Sequence, residues 1–229
     1  MSRIKTKSSP SPHKRRIFLV DDHPVTRDGL ARLINHETDL EVCGIAGTVA
    51  GAALEVEQQK PDLVIIDVSL GKGASGLELI KDLASRDRRL KMLALSTHDE
   101  ALYAERALRA GAKGYVMKQE PTEHVMQAVR RILNGEVHLS KKMSDRMLHK
   151  MTQRHAAPTV SDIETLSDRE LEVYRLLGQG RGTRQIATEL HLSISTVETH
   201  RAHIKEKLDL NSTTELVRHA VEWVHSQAS

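Results

Sequence analysis

Three carboxylates follow two short aliphatic runs, and this spacing predicts one acidic site. Asp67 ends the run 63–66, and the pair Asp21 and Asp22 follows the run 17–20. Such runs are typical of strands buried on both faces of a parallel sheet, whose polar last residues meet at one edge. A divalent cation would relieve the repulsion among the carboxylates, and oxygen ligands favour a hard ion such as Mg²⁺.

Two further polar residues follow aliphatic runs in the same way. Ser96 comes after the run 91–95, and Lys118 comes after the run 114–117. If Asp67 accepted a phosphoryl group, Mg²⁺ would screen the incoming charge, Lys118 would hold one phosphoryl oxygen, and the Ser96 hydroxyl would bond another. The set therefore has the components needed for phosphoryl transfer to a carboxylate.

The elements that must position these residues alternate between strand and helix five times. The predicted strands are 16–21, 40–46, 62–67, 90–95 and 114–117, and the predicted helices are 24–35, 49–58, 76–86, 100–110 and 122–134. This order predicts an α/β fold, a doubly wound five-stranded parallel sheet whose working residues lie beyond the carboxyl ends of the strands. Asp99 is expected to cap the fourth helix, Gly111 to end it, and Pro121 to lie in the first turn of the fifth.

Composition indicates a soluble protein of two domains. The chain has 229 residues, 39% of them hydrophobic and 28% charged, and no apolar run approaches the roughly 20 residues of a membrane span. Cys43 is the single cysteine, which excludes an internal disulfide and thiolate zinc sites. The basic N-terminal segment lacks the apolar stretch of a secretory signal, so we expect a cytoplasmic protein.

The net charge of +3 is unevenly distributed. Residues 1–16 carry 6 Lys/Arg and no acid, residues 17–139 carry 15 against 19, residues 140–160 carry 5 against 1, and residues 161–229 carry 8 against 11. The segment charges of +6, −4, +4 and −3 place the excess in a tail and a linker. We therefore predict a disordered basic tail at 1–15, a first domain at 16–135, a linker at 136–160 with helical character near 141–151, and a second domain at 161–229.

The second domain has the signals of four short helices. Ser167 to Glu170 form a capping box for a helix reaching about residue 177, and Ser193 is expected to cap a third helix that reaches about Leu208. Thr183 is expected to cap the second helix, and residues 212–215 to open a fourth that reaches about residue 224. A short helix, a turn and a longer helix form the arrangement that places the longer helix in the DNA major groove.

The third of these helices is amphipathic. At 100° per residue, Val197, Ile204 and Leu208 face inward, and the opposite face would contact bases. Glu198 could accept a hydrogen bond from cytosine N4, whereas Arg201 would have to extend along its stem to reach a phosphate. The predicted DNA-contacting residues are Thr183, Arg184, Ser195, Thr196, Glu198, Thr199, His200, Arg201, Ala202, Lys205 and Lys207.

Two alternatives apply to the second domain. Its net charge of −3 would suit a helical bundle that docks proteins, but residues 175–207 carry 6 Lys/Arg against 3 Asp/Glu, so the predicted recognition face is basic. His200 and His203 have a spacing suited to a metal site, but no third ligand is evident.

The motifs resemble those of two-component response regulators of the NarL/FixJ class. The first domain is similar to a receiver domain in the segments VDDHP at 20–24, LVIIDVSL at 63–70, ALS at 94–96 and GYVMK at 114–118. The second resembles a LuxR-type helix-turn-helix domain in LSDRE, RGTRQIATEL and SISTVETHRAHIKEKL. The resemblance covers nearly all of residues 16–225.

The resemblance also implies a role for each residue of the acidic site. Asp67 would be the phosphoacceptor, and Asp21, Asp22, Asp67 and the backbone carbonyl of Ser69 would be the metal ligands. Ser96 would be the switch hydroxyl, Tyr115 the switch aromatic and Lys118 the phosphate partner. Tyr115 could instead simply pack at the edge of the sheet.

One segment departs from the class. Receivers of this class commonly have a Met-Pro-Gly type loop after the phosphoacceptor, whereas residues 68–76 here contain three glycines and no proline. Glycine permits more backbone conformations than proline, so we expect a more mobile loop and altered phosphorylation kinetics.

Three functions are compatible with these patterns. The favoured one is a DNA-binding transcriptional regulator that takes a phosphoryl group from a sensor histidine kinase and rearranges Ser96 and Tyr115. Its DNA-binding domain would then be released or would form a homodimer on double-stranded DNA. The others are a constitutive DNA-binding regulator whose receiver only dimerises and a magnesium-dependent phosphohydrolase. A hydrolase would need a second acid or base, and Val68 next to Asp67 is apolar, so we expect no enzyme.

Overall fold

A computed structural model describes residues 14–70, 74–97, 100–152 and 162–227. Within these ranges the strands are β1 (Arg15–Val20), β2 (Leu40–Ala46), β3 (Leu63–Asp67), β4 (Ser69–Leu70), β5 (Ala74–Ser75), β6 (Lys91–Ser96) and β7 (Gly114–Met117). The helices are α1 (Pro24–His36), α2 (Val49–Gln59), α3 (Gly76–Arg86), α4 (Glu100–Ala110), α5 (Thr122–Leu133), α6 (Lys141–Thr152), α7 (Asp168–Gly178), α8 (Thr183–Glu189), α9 (Ile194–Lys207) and α10 (Thr213–Gln227). A short 3-10 helix at Asp162–Thr165 precedes α7.

Five strands form one parallel sheet in the order β2-β1-β3-β6-β7. The register aligns Ile66 with Val20 on one side and with Ala94 on the other. The carboxyl ends of these three strands therefore lie level with one another. The predicted doubly wound sheet is confirmed, and each predicted strand lies within one residue of the observed one.

Both faces of the sheet are buried, because alternate side chains of each strand point to opposite sides. Leu63 and Ile65 of β3 pack in the core beneath α1 and α5. Val64 and Ile66 pack in the core beneath α2, α3 and α4. Burial of each such side chain stabilises the fold by about 1.5–3 kcal/mol. This burial explains why the strands are continuous aliphatic runs.

The segment after β3 contains a short hairpin that the sequence did not predict. Strands β4 and β5 pair antiparallel, with Ser69 opposite Ser75. The Gly76 amide then donates to the Val68 carbonyl at 2.8 Å and starts α3. The glycines at 71 and 73 lie outside the described residues, so the predicted mobility of this loop is untested.

Most predicted helix ends are confirmed, with two corrections. Gly111 ends α4 with φ of 123°, and Ser167 and Glu170 form the capping box of α7. Pro121 lies at the N-cap of α5, one residue before the predicted first turn. The prediction that Thr183 caps α8 is wrong, because Gly182 lies at the N-cap and its amide bonds to the Gln185 side chain. Asp99, residues 1–13 of the predicted tail and residues 153–160 of the predicted linker lie outside the described residues. Helix α6 confirms the helical character predicted near 141–151.

The C-terminal helices pack as a small bundle. Helix α7 packs against α9 and α10, and α8 packs against α9. Val197, Ile204 and Leu208 are buried, as the amphipathic pattern of α9 predicted. The Ser193 side chain caps α9 by accepting from the Thr196 amide at 3.0 Å. Across the described ranges, every helix is too short or too polar to cross a bilayer.

Gly76 lies against the backbone of Asp67, and this contact gives a test of the packing beneath the acidic site. A Cβ added at Gly76 would lie 1.9 Å from the Asp67 carbonyl oxygen. We expect Gly76→Ala to lower the free energy of unfolding by about 3 kcal/mol, at the upper end of overpacking effects. Urea denaturation measures this change.

Gly29 in α1 provides the matched control, because an added Cβ there would meet nothing within 4 Å. Gly29→Ala should raise the free energy of unfolding by about 0.5–1 kcal/mol, since alanine favours the helix. Equal effects of the two substitutions would contradict the packing described for Gly76.

Candidate functional site

Two carboxylates and one ammonium form the centre of the acidic site. Asp67 is the last residue of β3, and Asp21 directly follows β1; their side chains are 1% and 4% exposed. Lys118 Nζ lies 2.7 Å from Asp67 Oδ2 and 2.7 Å from Asp21 Oδ2. The parallel register therefore brings three distant segments into one ion-paired cluster, as the sequence predicted.

Lys118 is positioned by the ends of two neighbouring strands. It directly follows β7, and its backbone amide donates to the Ser96 carbonyl at 2.7 Å. Ser96 ends β6 and is fully buried. One backbone hydrogen bond thus fixes the predicted phosphate partner beside the predicted switch hydroxyl.

Burial and charge act in opposite directions on the pKa values of this cluster. Burial raises the pKa of Asp67 to about 6, although the Lys118 charge and hydrogen bond lower it; the nearby Asp21 charge raises it further. Burial lowers the pKa of Lys118, but the charges and hydrogen bonds of Asp67 and Asp21 outweigh this and raise it above its ordinary value. Lys118 is therefore charged at neutral pH, and the raised pKa of Asp67 means that this carboxyl takes up a proton at a higher pH than an exposed aspartate does.

His23 joins the carboxylates, and the sequence analysis missed it. Its Nδ1 lies 2.8 Å from Asp22 Oδ1 and 3.3 Å from Asp21 Oδ1, and its amide donates to Asp21 Oδ1 at 2.8 Å. Ligand atoms of Asp21, Asp22, His23 and Asp67 all lie within 4.8 Å of one another. The only signal was that His23 is the next residue after the acidic pair. Three carboxylates in this space fit a divalent cation with hard oxygen ligands.

The remaining predicted residues of this site have different surroundings. The Ser69 amide donates to Asp67 Oδ1 at 3.0 Å, which orients the carboxylate; its carbonyl as a metal ligand stays a prediction. Tyr115 is buried in β7, in the core that also contains Tyr103 of α4. The switch roles of Ser96 and Tyr115 stay predictions.

Helix α4 contacts the segment at the start of α7 through Arg106. The guanidinium donates to Asp168 Oδ1 at 2.9 Å, to the Leu166 carbonyl at 2.8 Å and to the Ile163 carbonyl at 3.2 Å. Tyr103, one turn earlier, is also buried. Burial, with a smaller contribution from the Glu172 charge on α7, raises the pKa of Tyr103. Nothing in the sequence identified this contact, because it joins residues about sixty positions apart.

The outward face of α9 is open to solvent. Ser195, Glu198, Thr199 and Ala202 are exposed, and Thr196 is half-buried. This face lies on the side of α9 opposite its buried stripe. The predicted base-contacting residues thus share one accessible surface.

The charged residues around this face differ in their surroundings. Arg201 does not extend outward; it bonds to Thr183 and Glu198. Lys207 Nζ bonds to Glu170 Oε2 at 2.6 Å, which ties α9 to α7. Arg184 is exposed, whereas Lys205 and His200 are half-buried, and burial lowers the pKa of His200. The acidic cluster and the α9 face are separate sites on separate domains.

Comparison with known proteins identifies both domains. Residues 17–130 match the family described as response regulator receiver domain, and residues 164–220 match the family described as bacterial regulatory proteins, luxR family. The oxygen regulatory protein NreC of Staphylococcus haemolyticus is 36% identical over 210 residues, which are 90% of this chain and 97% of that protein. NreC of Staphylococcus aureus is 35% identical over the same coverage.

Solved structures share the fold. A two-component response regulator of the LuxR family from Aurantimonas sp. SI85-9A1 is 30% identical, with a TM-score of 0.56 over 61% of this chain and 99% of that chain. RcsB from Salmonella enterica serovar Typhimurium, bound to promoter rprA in the presence of phosphomimetic BeF3⁻, is 21% identical, with a TM-score of 0.59 over 91% of this chain and 99% of that chain. The chain therefore belongs to the two-component response regulators of the NarL/FixJ class, transcriptional regulators with a receiver domain followed by a LuxR-type helix-turn-helix domain.

Proposed function

We propose that Asp67 accepts a phosphoryl group from the phosphohistidine of a sensor histidine kinase and thereby controls DNA binding by residues 161–229. The observation that carries this proposal is the Lys118 ammonium, held 2.7 Å from the carboxylates of both Asp67 and Asp21. In the transfer, an Asp67 oxygen forms a bond to phosphorus, and the bond from phosphorus to the histidine nitrogen breaks. The imidazole leaves with that electron pair. In this proposal, the receiver comprises residues 16–135 and the linker comprises residues 136–160. The protein acts in the cytoplasm.

The charges around Asp67 suit this step. A phosphoryl group brings negative charge into a buried site, and Lys118 is already positioned to bond one of its oxygens. Ser96, on the adjacent strand end, would bond another. Asp21 and Asp22, with Asp67 and the Ser69 carbonyl, would hold Mg²⁺, which supplies positive charge against the incoming oxygens when bound. The buried carboxylate is thus surrounded by groups that stabilise its phosphorylated form.

The surroundings of Asp67 support a switch rather than a hydrolase. Val68, which follows it, is buried and apolar, and Ser69 donates its amide to the Asp67 carboxylate. Neither can act as the second acid or base that turnover of a phosphate ester requires. Rapid multiple turnover on such an ester would favour the enzyme instead.

The contact between α4 and α7 is our candidate for coupling the two domains. Ser96 lies four residues before α4, so movement of Ser96 toward a phosphoryl oxygen would pull on the start of this helix. Arg106 on the same helix bonds to Asp168, Leu166 and Ile163. Displacing α4 would weaken these bonds and free the C-terminal domain to pair with a second copy on two DNA half-sites.

The DNA interface that we propose combines base contacts from α9 with phosphate contacts around it. Glu198, Thr199, Ala202 and Ser195 would face the major groove. Phosphate or supporting contacts would come from Thr183, Arg184, Thr196, His200, Arg201, Lys205 and Lys207.

One observation favours a second candidate function, a constitutive DNA-binding regulator. The outward face of α9 is exposed to solvent, so the arrangement of the two domains in the structure leaves it accessible to DNA. A protein of this kind would bind its DNA with the same affinity before and after treatment with a phosphodonor. Control by phosphorylation requires the two affinities to differ.

Substitution of Asp67 tests the phosphoacceptor. We expect wild-type protein to gain one phosphoryl group from acetyl phosphate with Mg²⁺ and Asp67→Ala to gain none, because the accepting carboxylate is absent. Intact-protein mass spectrometry measures the uptake. Asp82→Ala, at a more exposed acid on α3, is the control and should label like wild type. Equal uptake by the Asp67 variant would show that another residue accepts the group.

Substitution of Lys118 tests the charge balance of the site through its pH dependence. Lys118→Met leaves Asp21 and Asp67 buried without their shared ammonium, so we expect a loss of about 3 kcal/mol in the free energy of unfolding at pH 8. A buried carboxylate with a raised pKa destabilises the native state when ionised, and it takes up a proton as the pH falls below that pKa. The loss should therefore shrink at pH 5.

Urea unfolding at both pH values measures this difference. Lys113→Met, at an exposed lysine just before β7, should change little at either pH. A Lys118→Met penalty that is the same at pH 5 and pH 8 would contradict the proposed role of the ion pairs.

Substitution of Glu198 tests base recognition. Glu198→Ala removes an acceptor from the exposed face of α9, so we expect it to change sequence preference more than affinity for random DNA. Selection from a randomised duplex library, followed by binding measurements, gives both quantities. Glu222→Ala, an exposed acid on α10, is the control. Unchanged selected sequences would remove Glu198 from the base-reading set.

A further inference from the structure

We propose that Arg201 is a positioning residue for base recognition, which with Thr183 holds the Glu198 carboxylate toward a cytosine amino group. This inference rests on the proposed function, in which α9 lies in the major groove. It changes the role of Arg201 from a phosphate contact to a support for the residue that discriminates between bases.

The three side chains form a closed set of hydrogen bonds between α8 and α9. Thr183 is the first residue of α8, and its hydroxyl donates to Glu198 Oε1 at 2.8 Å. Arg201 Nη1 donates to the same Oε1 at 2.9 Å and also to Thr183 Oγ1. Within the described chain, the hydrogen bonds and ion pair of Glu198 all fall on Oε1, which leaves Oε2 to accept from a base.

Exposure shows which of the two charged groups faces the DNA. The Glu198 side chain is 54% exposed, whereas the Arg201 side chain is 13% exposed. Arg201 therefore lies behind the carboxylate, between α8 and α9. In this position the Arg201 guanidinium is poorly placed to reach a DNA phosphate, but it can hold the Glu198 carboxylate in one orientation.

A carboxylate at a DNA interface needs such a partner. Phosphates repel a lone carboxylate, and a long exposed side chain loses rotamer freedom when it binds. The Arg201 charge offsets the repulsion, and the two hydrogen bonds to Oε1 fix the rotamer before DNA arrives. Preorganisation of this kind makes a hydrogen bond to cytosine N4 more favourable and leaves wrong bases opposite an unsatisfied acceptor.

A purely structural role would explain the same bonds less well. A partly exposed ion pair three residues apart on one helix contributes little to stability. Arg201 Nε is buried and has no hydrogen-bond partner among the described residues, which costs stability. Replacement of Arg201 by methionine keeps most of the packing of its stem and removes that donor. We therefore expect Arg201→Met to keep the thermal midpoint of wild type or to raise it.

The test is a double-mutant cycle on the full-length protein. A randomised duplex library first gives the sequence that wild type selects, and affinities are then measured for that sequence and for duplexes changed at one base pair each. The proteins are wild type, Glu198→Ala, Arg201→Met and the double variant. Arg218→Met, at an exposed arginine on α10, is the matched control.

We expect wild type to discriminate on the order of tenfold or more at one G·C pair, as a good side-chain contact to a base edge provides. Glu198→Ala and Arg201→Met should each lose most of this discrimination at the same pair. The double variant should lose no more than either single variant, because both changes remove one contact. Arg218→Met should discriminate like wild type.

Three results would overturn the inference in distinguishable ways. In the first, Arg201→Met lowers the affinity for all duplexes by the same factor, whether or not Glu198 is present. The salt dependence of binding also falls by about one phosphate contact, and Arg201 would then be a phosphate-binding residue. A lower thermal midpoint with discrimination retained would make it structural. Failure of wild type to select any sequence would instead overturn the proposed DNA recognition itself, and the inference with it.

Discussion

The structure of the receiver depends on one constraint, the compensation of buried negative charge where parallel strands end. The sheet register places Asp21 and Asp67 side by side, and a buried pair of carboxylates would be unfavourable without a cation. Lys118 provides it from a third strand end, 2.7 Å from both. Because one ammonium neutralises two carboxylates, the ion pairs of the site are sensitive to any change in the charge of Asp67. A phosphoryl group on Asp67 would change the ion pairs of Lys118, and the Lys118 backbone amide is bonded to the Ser96 carbonyl.

The proposed route from this site to the DNA-binding domain runs along helix α4. Helix α4 starts four residues beyond Ser96, and its Arg106 bonds to Ile163, Leu166 and Asp168 at the start of α7. The outward face of α9 is not part of this contact, since its side chains are exposed. Control by phosphorylation would therefore change how the C-terminal domain is oriented and paired rather than uncover its recognition helix. This differs from a switch in which the receiver simply blocks the DNA-binding surface.

The sequence predicted the features that depend on local pattern and missed those that depend on tertiary contact. Aliphatic runs predicted the strands, and capping residues predicted most helix ends, because both are local patterns. The cluster of Asp21, Asp67 and Lys118 followed from the strands, because the carboxyl ends of parallel strands lie at one edge of the sheet. Thr183 satisfies the local rule for a cap, yet its hydroxyl bonds to Glu198 on the next helix, and Gly182 takes the N-cap. The sequence also did not predict the hydrogen bonds of Arg106 and Arg201, because long side chains can bond to residues on other elements that the local pattern does not specify.

If a change at Asp67 reaches the DNA-binding domain through α4, phosphorylation must alter both this helix and the segment to which Arg106 bonds. Amide hydrogen exchange of the full-length protein, measured before and after phosphorylation by acetyl phosphate, tests it directly, because loss of the Arg106 bonds would let the segment 163–171 open more often. We expect faster exchange in α4 and in this segment for wild type, and no change for Asp67→Ala under the same treatment. Complete phosphorylation with unchanged exchange in both regions would contradict coupling through α4.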